Sequence, residues 1–204
     1  MYQSIKNYCE NLTTQFDTIS TERKEILSSI AQYIQQKRNN SAAINLIYVC
    51  THNSRRSHFG QVWAAVAASF YGIDNVKTFS GGTEATAFNI NAINALKKIG
   101  FEIISDQKVS NPIYKVKFGE SESADCFSKR YDDEANPTSN FAAIMTCSDA
   151  DENCPVIFGC DLRIATKYDD PKAFDNTPLQ DQKYSERCQQ IATEILYMFS
   201  LLKE

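Results

Sequence analysis

"IYVCTHNSRRSHFG", residues 47–60, changes character twice within fourteen positions. An apolar run that begins at Ile44 ends at Cys50, a small polar loop follows, and Arg55, Arg56 and Ser57 lead into RRSHFGQVWAAVAASFYG, a helical pattern that closes near Gly72. The run INLIYVC is almost continuously apolar, as in a strand buried on both faces of a parallel sheet. A strand that ends on a cysteine, followed within six residues by an arginine opening a helix, is half of a strand–helix–strand unit. It calls for a sheet with helices packed on its faces.

The rest of the chain supplies the partners. VKTFSGG (76–82) reads as a second strand, FAAIMTC (141–147) as a third, and DLRIATKYDDP (161–171) holds a fourth that Pro171 halts. NINAINALKKIG (89–100) is a helix with glycine where a C′ residue belongs. DQKYSERCQQIATEILYMFSLL (181–202) is a long C-terminal helix. The expected fold is α/β: a three-layer αβα arrangement around a four-stranded parallel sheet, with an N-terminal helical extension. In the extension, Ser20 and Thr21 with Glu22 and Glu25 make a helix start. Ile26, Ile30 and Ile34 recur at i+4 spacing, and KRNNSAA breaks the pattern. We therefore divide the chain into residues 1–40, a helical appendage on a short linker, and residues 41–204, the α/β domain. Residues 104–140 are polar and read as a variable insertion carrying one helix.

Composition bounds the function. With 204 residues and a hydrophobic fraction of 43%, the chain can form a real core. A net charge of −4 gives no general attraction to nucleic acid. No apolar run is long enough to span a membrane, and the N-terminus lacks the pattern of a secretory signal, so a cytoplasmic setting is expected. The seven cysteines are odd in number and scattered, as thiols of a reducing compartment are. No C-x2-C pair occurs and the histidines are only His52 and His58, so no metal is expected.

Ligands of open parallel sheets bind beyond the carboxyl ends of the strands. Those ends carry Cys50, Ser80-Gly81-Gly82, Cys147 and Asp170-Pro171. A bare C-x5-R spacing is weak, and an Asp-Asp-Pro triplet is commonly only a turn. Placed between strand and helix, however, the residues Thr51, His52, Asn53, Ser54 and Arg55 can turn their N–H groups into a nest around a tetrahedral anion. The helix N-terminus adds its positive end, and Arg56 can fork two donors onto two oxygens. The same field favours a thiolate, which makes Cys50 a candidate nucleophile. Trp63 is expected in the core, Cys9, Cys126 and Cys188 as packing residues, and Cys160 near the site.

CTHNSRRS (50–57) resembles the C-x-x-N-x-x-R-S signature of the low-molecular-weight protein tyrosine phosphatase superfamily, and within it thioredoxin-coupled arsenate reductases. TCSDADENCP (146–155) resembles the segment that carries the two further redox cysteines of that group, here Cys147 and Cys154. The resemblance runs from about Ile44 to the C-terminus, interrupted at 104–140. It implies Cys50 as nucleophile, Arg56 as oxyanion clamp, Asn53 as loop brace, Ser57 as hydrogen-bond partner of the sulfur, and Asp170 as general acid. FSGGTEA (79–85) resembles the family's Ser-Ala-Gly segment. His52 stands in place of the family's usual glycine, Arg55 in place of a small or apolar residue, and both add charge or line the rim. Gln61 stands where these reductases often carry a glutamate linked to a potassium site, so no bound potassium is expected.

Three readings stay open. In the first, arsenate is reduced through a Cys50–Cys147–Cys154 relay that hands its disulfide to thioredoxin or a similar thiol reductant, with no cofactor. Adjacent strands lie about 4.8 Å apart, within the reach of a Cys50–Cys147 disulfide, and SDADEN before Cys154 reads as a mobile loop. In the second, the same Cys50, Arg56 and Asp170 hydrolyse phosphomonoesters, although KAF rather than paired tyrosines follows Pro171. The third is a non-catalytic oxyanion or redox sensor.

Overall fold

The computed structural model describes residues 1–105, 108–153 and 156–203. Cys154, assigned to the relay above, lies outside the described residues. In chain order the elements are α1 (Gln3–Thr13), α2 (Thr21–Asn39), β1 (Ile44–Cys50), α3 (Arg56–Phe70), β2 (Val76–Gly82), α4 (Ile90–Ile99), β3 (Glu102–Ile104), β4 (Tyr114–Lys117), β5 (Ser123–Cys126), β6 (Phe141–Met145), α5 (Ser148–Asn153), β7 (Cys160–Ala165) and α6 (Gln180–Ser200).

The main sheet is parallel, in the order β2-β1-β6-β7, with Cys50 opposite Gly82 and Val49 opposite Met145. All four chains leave it at the edge where Cys50 ends β1. Alternation along the central strands divides the core. Ile44, Leu46, Tyr48, Ala142 and Ile144 face a large cluster built with helices α1 to α4 and α6. Ile47, Val49, Phe141, Ala143 and Met145 face a smaller one with Cys147, Ala150 of α5 and Ile157. The three layers are therefore unequal, with the bulk of the helical mass on one face. Gly60 lets α3 approach the sheet on that face, because a Cβ there would fall 2.3 Å from the Tyr48 ring.

Local signals explain several element ends. The Ser20 hydroxyl accepts from the Arg23 N–H and caps α2. Gly100 ends α4 with φ 115°, the left-handed conformation glycine adopts without steric cost. Ile5, Cys9 and Leu12 of α1, with Leu27, Ile30 and Ile34 of α2, are buried in the same cluster as the sheet residues. Burial of such side chains is worth about 1.5–3 kcal/mol each.

Two expectations are corrected. The 104–140 segment contributes no helix among the described residues; instead β3, β4 and β5 form an antiparallel sheet in the order β3-β4-β5. Its strands are short and bury only alternate residues, Ile103, Val116, Ala124 and Cys126, so the apolar signal in the sequence is thin. SDADEN, read as a mobile loop, is the helix α5. Asp149 and Asp151 lie in its first turn, where negative charge suits the helix dipole, and the Ala150 N–H points at the Cys147 sulfur at 3.4 Å.

Candidate active site

Cys50 is 3% exposed at the end of β1, with its sulfur 3.1 Å from the Ser57 hydroxyl in the first turn of α3. The Asn53 amide donates to that hydroxyl oxygen at 2.8 Å, which leaves the hydroxyl proton free to point at the sulfur. Asn53 carries φ 43°, a left-handed turn that asparagine tolerates, and its side-chain oxygen accepts from the Lys129 N–H at 2.8 Å. The loop rests on bare Gly82: a Cβ there would fall 2.6 Å from the Thr51 carbonyl and 2.7 Å from the Asn53 nitrogen. Among the described residues, none of the main-chain N–H groups from Thr51 to Arg55 donates to another backbone group. That is the donor array an oxyanion nest needs.

Arg56 is buried and divides its donors three ways. One terminal nitrogen donates to the Tyr168 carbonyl at 2.8 Å and the other to Asp170 Oδ2 at 2.6 Å, while Nε is buried without a partner. A buried unpaired donor on a charged group costs free energy until something accepts from it. Asp170 is held from two sides, because its second oxygen accepts from the Lys172 N–H at 3.0 Å and caps the 3-10 turn that begins at Pro171. Cys147 is buried beside the loop, with its sulfur 3.4 Å from the Thr51 hydroxyl.

The other loop positions turn elsewhere. Ser54 donates to the Ala87 carbonyl at 2.7 Å. His52 is part-exposed, 3.7 Å from the Glu84 carboxylate, and its carbonyl accepts from the hydroxyls of Thr86 and Ser128. Arg55, expected to add charge or to line the rim, is buried. Its Nε donates to the Tyr184 hydroxyl at 2.7 Å and its guanidinium lies 3.6 Å from Asp175 and 4.0 Å from Asp170. Arg55 thus ties the loop to α6 and to the segment carrying Asp170. Cys160, expected near the site, starts β7 opposite Phe141 and so sits at the far edge of the sheet.

Sequence reasoning passed over Tyr168, Asp175, Tyr184, Ser128 and Lys129. They lie roughly 70–130 residues from the loop, and no local pattern ties them to it. It counted His58 only in setting a metal site aside. This imidazole is fully buried, 3.2 Å from the Ser80 hydroxyl and stacked on Phe88 with ring centres 4.1 Å apart. Burial, and then the nearby Lys129 charge, push its pKa from 6.5 down to about 3. The unfolded chain takes up this proton as pH falls through 6.5 and the folded one does not, so stability is lost progressively between those two values. At pH 5 the loss is on the order of 2 kcal/mol. We expect thermal unfolding midpoints to fall from pH 7 to pH 5, and His58→Gln to flatten that slope. An equally steep slope in the variant would place the acid sensitivity in other groups.

No family model matches the chain. Among curated proteins it is 30% identical over 112 residues to arsenate reductase 2 of Staphylococcus haemolyticus, a match covering 55% of this chain and 66%, just under two thirds, of that one. It is 28% identical over 126 residues to arsenate reductase 2 of Staphylococcus epidermidis, covering 62% and 77%. Among solved structures it superposes on a YwlE mutant from Bacillus subtilis with a TM-score of 0.54 at 16% identity, over 79% of this chain and all of that one. A low-molecular-weight phosphotyrosine phosphatase from Vibrio cholerae gives 0.51 at 12% identity, over 76% and 94%. At such identities the structural likeness is one of fold.

Proposed function

We propose that the chain is a member of the low-molecular-weight protein tyrosine phosphatase superfamily, whose fold it shares with solved structures and whose arsenate reductases it resembles in sequence, and that it is an arsenate reductase working through a thiol relay. The observation that carries this reading is the buried Cys147 sulfur 3.4 Å from the hydroxyl of Thr51, the residue next to Cys50. A phosphatase has no need of a second thiol there.

In the proposed sequence the free N–H groups of the loop and Arg56 Nε hold the oxyanion. The Cys50 sulfur attacks arsenic, and Asp170 gives a proton to the oxygen that leaves as water. The Cys147 thiolate then attacks the Cys50 sulfur. A sulfur–sulfur bond forms, the sulfur–arsenic bond breaks, and its electron pair stays on arsenic, which departs as arsenite. Cys154 next attacks Cys147, freeing Cys50 and leaving a Cys147–Cys154 disulfide. A dithiol reductant such as thioredoxin returns that disulfide to two thiols by exchange. None of these steps requires a metal or organic cofactor.

Phosphomonoester hydrolysis is the second reading. It is favoured by the complete Cys50, Arg56 and Asp170 set and by Phe174, a part-exposed ring on the turn that Asp170 caps. Water would then resolve the cysteine adduct.

One experiment separates the two. Cys147→Ser should end thioredoxin-coupled arsenate turnover while leaving any hydrolysis of aryl phosphates intact. Cys154→Ser should allow a single turnover and stall as a Cys50–Cys147 disulfide visible by mass spectrometry. Normal arsenate turnover in both variants would discard the relay and leave the phosphatase.

A further inference from the structure

The role of the helices that precede the sheet is open, and one buried cluster connects them to the oxyanion clamp. Arg23, in the first turn of α2, donates to the Lys167 carbonyl at 2.7 Å and stacks over the Tyr168 ring, 5.1 Å from its centre. Its Nε lies 3.5 Å from Glu194 of α6. Glu194 is 4% exposed; one oxygen accepts from the Tyr168 hydroxyl at 2.7 Å and the other from Gln190 at 3.0 Å. Burial and the Glu194 charge raise the Tyr168 phenol well above its usual range, which keeps it a donor.

Tyr168 is therefore fixed at ring and hydroxyl from the helical side. Its N–H also donates to the Thr146 carbonyl at 3.1 Å, and Thr146 in turn donates to the carbonyl of Val49, the residue before Cys50. The remaining polar group of Tyr168 is its carbonyl, and Arg56 donates to it. With one terminal nitrogen on that carbonyl and the other on Asp170, the direction of the unpaired Nε is set by where Tyr168 stands.

We propose that Arg23 and Glu194 are positioning residues that act through Tyr168. Helix α2 and helix α6 clamp the tyrosine, and its carbonyl aims the Arg56 guanidinium at the oxyanion. The inference rests on the oxyanion-loop reading but not on the choice between arsenate and phosphate esters. It gives the N-terminal helices a part in the chemistry that packing alone does not, since an aromatic ring buried against α2 would need no charge pair around it. Arg23 and Glu194 line an open polar cleft of about 550 Å³, so shortening Arg23 leaves no sealed cavity.

The test is a titration of the full chain with inorganic phosphate, followed by amide chemical shifts in the loop. Arg23→Ala should weaken phosphate binding about 3- to 10-fold, the size of effect expected for a residue coupled to a site it does not touch. Arg23→Lys, which keeps the charge but loses the planar face over the Tyr168 ring and the two separate donor nitrogens, should fall between. Tyr168→Phe, which removes only the hydroxyl, should change affinity in the same direction as Arg23→Ala. The decisive arm repeats Arg23→Ala in an Arg56→Lys background, where the further loss should shrink below about twofold because the group being aimed is gone. If the loss is the same factor in both backgrounds, Arg23 is a general structural residue and the inference fails. If wild-type protein binds phosphate and Arg23→Ala binds it equally well, the inference fails while the oxyanion reading stands. If the wild type shows no phosphate binding at the loop, both fall.

Discussion

Cys50→Ser should reduce turnover of arsenate and of aryl phosphates to background, a loss of about 10⁴-fold or more, while the protein still binds inorganic phosphate within a few-fold of wild type. The reasoning separates nucleophile from cradle. A serine at this position meets the same Ser57 hydroxyl, but an unionised hydroxyl is a poor nucleophile near neutral pH and cannot enter thiol exchange. The anion-binding parts, the main-chain N–H groups of Thr51 to Arg55 and the unpaired Arg56 Nε, owe nothing to the sulfur. Activity assays paired with a phosphate titration check both halves. Residual turnover above a trace would remove Cys50 from the centre of the chemistry, and loss of phosphate binding would mean that the sulfur shapes the loop.

Asp170→Asn should slow the bond-breaking step by about 10²–10⁴-fold, the usual contribution of a general acid. The loss should shrink for aryl phosphates whose leaving groups need no proton. Phosphate affinity should move the other way. Asp170 lies 2.6 Å from a terminal nitrogen of Arg56, so its negative charge stands beside the anion site and opposes an incoming anion. An asparagine there carries no charge, and binding should tighten a few-fold. A loss of turnover that is equal for every leaving group, together with weaker phosphate binding, would make Asp170 a structural residue of the turn it caps.

The division between what the sequence discloses and what it conceals follows physical range. The parallel strands are legible because Ile44 to Cys50 and Phe141 to Met145 are buried at nearly every position, and a continuous apolar run survives any averaging. The candidate loop from Cys50 to Ser57 is legible because eight consecutive residues build it. Asp170 is legible because proline fixes its turn. The antiparallel sheet is not, since YKVK and SADC each bury only one or two side chains. Helix α5 is not, because its six residues are mostly polar and the partner of its Ala150 N–H is a cysteine sulfur. The function of Arg55 is not, because Tyr184 and Asp175 meet it only once α6 has folded against α3. Pairwise contacts between distant residues leave no periodicity in either segment, and these contacts decide where the guanidinium groups point.

The packing cysteines carry a consequence for a protein whose proposed chemistry is sulfur exchange. Cys9, Cys126 and Cys188 sit in the core, and burial lifts each thiol to about 12. Only the ionised form attacks a disulfide, so near neutral pH these three hold about one anion in 10⁵ molecules. They are electrically quiet wires beside a live one. A disulfide passing among the cysteines at the sheet's edge has only a very slow branch into the interior, so oxidising equivalents leave the way they entered rather than locking the helices together.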